Sequence, residues 1–259
     1  MAPFRTSPLG SIQIPPHKLF DFKRPVSILP DARKVFVLCE GTNTEPAFLE
    51  KILNNSSIGL NGSINFIGVE KTGNDKGVTD LNGLIRLANQ VIGDKQNHFD
   101  KKMDKVLLFF DLDVYAAKNS ISEIKALIEA NKKHIIFAYT NPAIELFLCL
   151  CIKPNAYETI IQPKCSEILQ NGYVPCTDGE NRRCIASLFY EATLVDSKKG
   201  TADFTPFAQN VQHAINQEKI NLSAKLVDPK KSLISNVGRV LEMIQDDKAD
   251  EIEYLTVIG

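Results

Sequence analysis

The chain lacks any apolar run of the roughly 20 residues that a membrane-spanning helix needs. Its N-terminus also lacks a basic stretch that leads into an apolar one. It carries Pro3, Pro8, Pro15 and Pro16 instead, which is not typical of a secretory signal. We therefore expect a cytoplasmic protein that does not associate with membranes.

The chain also lacks the motifs of zinc-binding and ATP-binding sites. No Cys-x-x-Cys pair and no histidine at zinc spacing accompany the six cysteines. We expect Cys39, Cys149 and Cys151, which lie in apolar runs, to pack as small hydrophobic residues in the core. The loop at residues 73–77 lacks the Gly-Lys-Ser/Thr of a P-loop, which argues against ATP binding by this chain. The formal net charge of −1 excludes a DNA-coating protein, but not an enzyme that grips phosphates through metal ions and a local basic patch.

The composition, with 44% hydrophobic and 24% charged residues among 259, is that of a globular protein. Proline-rich residues 1–31 predict an arm that lies over the surface. Residues 32–152 alternate between strand and helix patterns, which predicts a mainly parallel sheet with helices on both faces. The predicted strands are 35–39, 64–69, 106–110 and 135–139, and the predicted helices are 45–53, 81–92, 122–130 and 144–152. Residues 153–259 predict a mainly helical extension, with helices at 184–194, 207–220 and 233–244.

Carboxylates follow two of the predicted buried strands. Glu40 ends the first strand, and Asp111 and Asp113 follow the third. Ligands of open α/β sheets bind outside the carboxyl ends of the strands, so these acids are expected to converge there on Mg²⁺ or Mn²⁺. Strand alternation would aim both aspartates to one side. The alternative is that these residues are ordinary charged strand ends that reach water.

Two further glutamates lie near these positions in the predicted fold. Glu145 sits among apolar residues, where an unpaired buried carboxylate is costly. It either caps the start of its helix or adds an acid or a hydrogen bond to the metal site. Glu45 opens the first predicted helix and is a candidate for a second metal or for orienting the first ligands. Gly41 permits a sharp turn or a close approach of the backbone to phosphate.

These residues form three motifs in order: Glu40-Gly41-x-x-Thr44-Glu45-Pro46, Asp111-x-Asp113 and Asn141-Pro142-x-x-Glu145-Leu146. In their order and spacing the chain resembles the RloB-like family of TOPRIM-domain proteins, over about residues 33–250. The resemblance includes Asp228-Pro229 and a closing helix with Val237 and Val240. Three positions depart from the family pattern: Leu112 stands for a frequent Arg, Thr140 for a common Ser and Cys151 for a frequent His.

The resemblance implies a TOPRIM-like, Rossmann-like domain at residues 32–152 and an Mg²⁺- or Mn²⁺-dependent nuclease that hydrolyses DNA or RNA in bacterial antiviral defence. Glu40, Asp111 and Asp113 would bind the metal, with Glu45 as a further ligand. Glu40, Asp111, Asp113 and Glu145 would form the catalytic set, and Glu40 is alternatively the general base. An ATPase partner and a homo-oligomer are also expected. The alternative is a catalytically silent scaffold or sensor subunit that binds an ATPase partner or nucleic acid.

Overall fold

A six-stranded sheet organises the computed structural model, which describes residues 17–21, 33–53, 64–113, 121–199 and 201–245. Its strands are β1 (His17–Asp21), β2 (Arg33–Cys39), β3 (Ile64–Lys71), β4 (Lys105–Asp111), β5 (Ile135–Asn141) and β8 (Ile234–Ser235), in the order β1-β3-β2-β4-β5-β8. The four central strands are parallel, and the two edge strands are antiparallel to their neighbours. A separate hairpin joins β6 (Tyr173–Pro175) and β7 (Asn181–Arg183).

The helices follow in chain order. They are α1 (Thr44–Leu53), α2 (Leu81–Gly93), α3 (Ile121–Asn131), α4 (Glu145–Leu150), α5 (Cys165–Gln170), α6 (Cys184–Thr193), α7 (Thr205–Gln209), α8 (Val211–Asn221) and α9 (Val237–Gln245). Local sequence explains their starts: the Asp80 side chain accepts a 2.8 Å bond from Gly83 N and so caps α2. Within the described residues, no helix combines the length and apolar character needed to cross a membrane.

The predicted mainly parallel sheet flanked by helices is confirmed, and the architecture is compatible with a Rossmann-like fold. Two predicted helices are wrong in detail. The segment 207–220 holds two helices that meet at Asn210, and the segment 233–244 begins as strand β8 before it turns into α9. The loop at 73–77 forms a short 3₁₀ turn. Of the predicted N-terminal arm, residues 17–21 form edge strand β1, and the rest lies outside the described residues. The boundary at residue 153 stays a prediction.

Both faces of the sheet are buried, because alternate side chains of each strand enter different cores. In β2, Val35 and Val37 face one core, whereas Phe36 and Leu38 face the other. The first core contains α1, α4 and the helices from α6 onward, and the second contains α2 and α3. All six cysteines are free, and five of them are buried. The prediction that cysteines in apolar runs pack in the core is therefore confirmed.

Side-chain amides join the C-terminal segment to the edge of the sheet. Asn236 Oδ1 accepts from Tyr139 N at 2.8 Å, and its Nδ2 donates to Phe137 O at 2.9 Å. Asn236 thus continues the hydrogen-bond ladder of β5 beyond the short strand β8. Asn141 Nδ2 donates to Pro229 O and Ser232 O, both at 2.8 Å. These buried amides satisfy backbone groups that would otherwise be costly to bury.

Glu218 joins α8 to the start of α9 from a fully buried position. Its carboxylate accepts from Ser235 Oγ at 2.5 Å, from Gly238 N at 2.9 Å and from Arg239 N at 3.1 Å. The free N–H groups of a helix start favour a negative charge, so this buried acid acts as a cap supplied by another helix. Gly238 leaves room for it, since a Cβ there would lie 3.0 Å from Glu218 Oε1.

Glu218→Ala is expected to lower the free energy of unfolding by about 3 kcal/mol, because three buried donors lose their acceptor. Glu218→Gln keeps one acceptor oxygen and should lose about half as much. Urea denaturation measures both. Glu242→Ala is the control, since its partly exposed pair with Lys219 contributes no more than about 1 kcal/mol. Equal stability of wild type and Glu218→Ala would contradict the capping role.

Candidate active site

The strand order reverses between β2 and β4, and this reversal places a crevice at their carboxyl ends. Strand β2 leads through α1 to β3 on one side, whereas β4 leads through α3 to β5 on the other. Such a switch point is the usual ligand position in open α/β sheets. Glu40 lies there: its backbone N–H donates to Phe109 O at 2.8 Å, and its Oε2 accepts from Asp111 N at 3.0 Å. Glu40 therefore spans the ends of the two strands.

Glu45 turns back from the start of α1 into the same crevice. Its Oε1 accepts from Gly41 N at 3.2 Å, and the residue is only 7% exposed. A Cβ at Gly41 would lie 2.6 Å from this oxygen, so only glycine leaves room for the carboxylate. Gly41 is absent from the positive-φ residues of the described chain. The structure thus gives this glycine a spatial role in seating Glu45.

Glu145, the first residue of α4, faces the same crevice. Its Oε1 accepts from Ser197 Oγ at 2.7 Å, and the backbone of that serine accepts from Thr44 Oγ1 at 2.9 Å. In the described chain, no hydrogen bond from the N–H groups of its own helix reaches this carboxylate. The contacts therefore favour the site over the helix-capping alternative for Glu145.

Asp111 lies at the centre of the acids. Its Oδ1 accepts from Thr140 Oγ1 at 2.7 Å. Burial raises the pKa of Asp111 well above its ordinary value, and the charges of Glu45, Glu145 and Glu40 raise it further. The Thr140 bond lowers it, but less. The pKa of Glu45 is also raised, first by burial and then by the charge of Glu145. We call Glu40, Glu45, Asp111 and Glu145 the acid cluster.

Lys71, at the end of β3, was not anticipated from the sequence. Its Nζ donates to Glu40 O and, at 2.9 Å, to Val78 O, so it holds the backbone beside the acid cluster. Burial lowers the pKa of Lys71, whereas the nearby Glu40 and Glu45 raise it. Its place at the end of a parallel strand was a usable signal, because the acids Glu40 and Asp111 occupy equivalent places.

Asp113 has its hydrogen-bond partners outside the acid cluster. The strand ends at Asp111, and the next two residues are helical, so the predicted alternation that aims both aspartates to one side is wrong. Asp113 Oδ2 accepts from Arg183 Nη1 and, at 2.9 Å, from Asn171 Nδ2. Its Oδ1 is buried without a hydrogen-bond partner, as is Asn171 Oδ1. Asn171 carried no recognisable signal in the sequence, whereas Arg183 belongs to the basic pair Arg182-Arg183, which is a candidate for a phosphate groove or an ordinary solvated face.

The donors of this site fit a hard divalent cation in chemistry but do not form a complete ligand shell. Carboxylate oxygens suit Mg²⁺ and Mn²⁺, and the unpartnered Asp113 Oδ1 is a free buried acceptor. Yet no three His, Cys, Asp or Glu side chains among the described residues are grouped closely enough to hold a metal ion. Mg²⁺ usually keeps several waters and takes one or two carboxylates, so a smaller set suffices.

A family model described as RloB-like protein matches residues 35–244. The chain belongs to the RloB-like family. No curated protein and no solved structure matches it.

The structure of this RloB-like protein shows the surroundings of the three residues that depart from the family pattern. Leu112 and Cys151 are fully buried, and burial raises the pKa of the Cys151 thiol, so neither side chain offers an exposed group to a substrate. Thr140 keeps a hydroxyl that donates to Asp111.

The raised pKa of Asp111 predicts that this carboxyl stabilises the metal-free RloB-like protein more at mildly acidic pH than at pH 8. The folded protein holds this proton to a higher pH than the unfolded chain, so stability rises as the pH falls toward about 4. Asp111→Asn should be more stable than wild type at pH 8, by about 1 kcal/mol, because it removes repulsion and keeps an acceptor for Thr140. Urea denaturation across the pH range, in a chelator, measures this difference.

Asp104→Asn is the matched control for Asp111→Asn, because Asp104 is buried just before β4, at the opposite end of the strand. Its carboxylate accepts from Lys34 N at 2.7 Å and from Asp100 N at 2.8 Å. An asparagine side chain has one acceptor oxygen and can accept from only one of these donors, so this variant should lose stability. A loss of stability at pH 8 in Asp111→Asn would contradict the repulsion inferred for the acid cluster.

Gly41→Ala should displace the Glu45 carboxylate and lower the free energy of unfolding by about 1–3 kcal/mol, because the new methyl group overlaps buried atoms. Gly93→Ala is the control: a Cβ there meets nothing within 4 Å, at the end of α2. That variant should equal wild type or gain up to about 1 kcal/mol. Thermal and urea denaturation compare the two, and equal stabilities would show that Glu45 moves freely.

Proposed function

We propose that this RloB-like protein is a Mg²⁺- or Mn²⁺-dependent nuclease with a TOPRIM-like catalytic domain. The acid cluster carries this proposal: Glu40, Glu45 and Glu145 are buried at the switch point of the sheet, and Asp111 is partly buried beside them. Burial, and then the charges of neighbouring acids, raise the pKa of Asp111 and of Glu45, and keeping these groups charged costs stability. Perturbed acids in a crevice are typical of functional sites, and a divalent cation would relieve their repulsion.

Glu40 and Asp111 are proposed as the ligands of the metal, with Asp113 and Glu45 as further ligands. When bound, the cation supplies Lewis-acid stabilisation of the phosphate and an activated water. The protein's own groups hold these acids in place: Asp111 N fixes Glu40, and Thr140 fixes Asp111. Positioning of this kind is what ligand-supporting contacts contribute in metal sites.

The remaining acids of the cluster have separate tasks in the proposal. Ser197 orients Glu145 toward the other acids, and Gly41 N holds Glu45. Burial raises the pKa of Glu45, so this carboxyl holds a proton to a higher pH than an exposed glutamate does. Glu45 can therefore exchange a proton with the reacting groups, Glu145 is a further candidate by its position, and Glu40 remains the alternative general base.

Nucleic acid is the proposed substrate, because basic side chains lie beside the acids. Arg183 contacts Asp113, and the exposed Lys198 and Lys199 follow Ser197, which bonds to Glu145. A local set of cations of this kind binds phosphates without a large net charge. A cytoplasmic location, a role in antiviral defence, an ATPase partner and self-association stay predictions from the family resemblance.

A catalytically silent scaffold or sensor is the second candidate, and two observations favour it. The described side chains do not group three potential ligands around one point. Asp113 is also already paired with Arg183, which competes with any cation for this carboxylate. Such a subunit would keep the fold and bind nucleic acid or an ATPase partner without cleaving a phosphodiester bond.

Mg²⁺ or Mn²⁺ should raise the Tm of the wild type, because binding to the native state alone stabilises it, and Asp111→Ala should remove this rise. Glu40→Gln, Asp113→Ala and Glu145→Gln should each lower cleavage of labelled DNA, tRNA or single-stranded substrates by at least about a hundredfold, if these carboxylates bind the metal or transfer protons. The assays are thermal denaturation and gel-resolved cleavage with Mn²⁺.

Asp104→Asn provides the matched control, because it alters a buried aspartate at the far end of β4 and should keep wild-type cleavage below its Tm. Equal cleavage by the wild type and the site variants would place the activity elsewhere or in a contaminant. An inactive wild type with every substrate, in Mn²⁺ and with its ATPase partner, would favour the scaffold.

A further inference from the structure

The hairpin of β6 and β7 is fixed firmly beside the acid cluster. Arg182 in β7 is 7% exposed and donates to both oxygens of Asp178 at 2.8 Å and to Asp196 Oδ2 at 2.9 Å. Its guanidinium also lies 4.1 Å from the ring centroid of Tyr190. Ser197 directly follows Asp196, the partner of Arg182, and its hydroxyl donates to Glu145; Lys198 and Lys199 come next in this loop. The hairpin and the loop at the acid cluster are thus tied together.

Arg183 and Tyr173 lie opposite each other across this hairpin. Since side chains alternate along a strand, Arg183 leaves the face that Arg182 uses and reaches Asp113. Tyr173 is 66% exposed at its position directly across from Arg183. A cation in contact with a motif aspartate therefore stands next to an exposed aromatic ring.

We propose that Arg183 and Tyr173 bind a single-stranded segment of nucleic acid at the acid cluster. Arg183 contacts a backbone phosphate, and the Tyr173 ring stacks on the unpaired base next to it. This inference deepens the proposed nuclease function and rests on it for the position of the scissile phosphate. It adds the substrate class, which neither the fold nor the family match supplies.

Charge explains the role of Arg183. The acid cluster repels a phosphate, so a substrate needs a nearby cation on the protein side. A planar guanidinium suits phosphate oxygens as well as it suits the carboxylate that it contacts now. Asp113 Oδ2 also accepts from Asn171 Nδ2 at 2.9 Å, so that this carboxylate keeps one donor when Arg183 turns to a phosphate.

The exposed ring of Tyr173 explains the preference for a single strand. Every base has an aromatic face, so stacking on tyrosine tolerates any sequence. In a duplex these faces are covered by neighbouring base pairs, whereas an unpaired base is free to stack. An aromatic ring next to a phosphate-binding arginine is therefore suited to a loop, a free end or another single-stranded segment.

Binding without cleavage tests this proposal, through fluorescence anisotropy of short labelled DNA and RNA strands and their duplexes in a chelator. Wild type should bind a single strand about tenfold more tightly than the duplex, and Tyr173→Ala should remove this preference. Tyr173→Phe keeps the ring and should stay within about twofold of wild type. Arg183→Ala should weaken binding of every form and reduce the salt dependence by about one phosphate contact.

Two controls lie at the opposite, amino edge of the sheet. Met103→Ala removes an exposed apolar side chain before β4, and Lys132→Ala removes a cation before β5, so both should bind as the wild type does. Comparing the DNA and RNA strands shows which sugar the site accepts. Either result supports the proposal as long as the single strand is preferred through Tyr173.

The outcomes separate this inference from the proposed nuclease. Tyr173-dependent binding of single strands without any cleavage in Mn²⁺ supports the hairpin site and removes the nuclease. If cleavage depends on Asp111 but Tyr173→Ala binds single strands as tightly as wild type does, the nuclease proposal stands and the hairpin site is overturned. A wild type that prefers duplex, or that binds no strand, also overturns it.

Discussion

Repulsion among buried carboxylates is the constraint on which the rest of the site depends. Glu40, Glu45, Asp111 and Glu145 enter one crevice, where burial raises the pKa of Asp111 and of Glu45. These carboxylates accept hydrogen bonds from neutral donors: backbone N–H groups and the hydroxyl groups of threonine and serine. Lys71 places a positive charge near these acids, but its ammonium group donates its hydrogen bonds to the backbone carbonyl oxygens of Glu40 and Val78. Neutral donors fix positions without cancelling charge, and this leaves the crevice attractive to a cation.

The crevice is completed by the C-terminal half of the chain. Ser197 orients Glu145, and Asn171 and Arg183 hold Asp113, although the acids themselves belong to the first 145 residues. Strand β8 and Asn236 extend the same sheet. Packing of the later helices therefore does more than cover one face of the sheet. It sets the orientation of two of the acids, so that loss of this packing would disturb the site before it exposed the central strands.

Much of this fold was predictable, because buried parallel strands read as apolar runs and the acids that follow them mark one edge of the sheet. Contacts between distant segments were not. Nothing in the local pattern shows that Asn236 bonds to β5, so a helical pattern was extended over a strand. Lys71 ends its strand as Glu40 does, but its burial depends on the neighbouring loop. Arg183 reaches Asp113 across 70 residues, a pairing that residue spacing does not encode.

The two motif aspartates are electrostatically different, and this difference argues for a division of labour. The Asp111 carboxylate accepts from the Thr140 hydroxyl, and burial followed by the charges of three nearby glutamates raises its pKa, so its charged form is unfavourable without a bound cation. Asp113 already has a cationic partner in Arg183, while one of its oxygens has none. A cation at Asp111 thus gains most from relieved repulsion. In the proposed complex, a phosphate beside this cation would contact Arg183, while Asn171 would keep its hydrogen bond to Asp113. In this proposal the positive metal ion lies at Asp111, and the negative phosphate lies at the arginine that now pairs with Asp113.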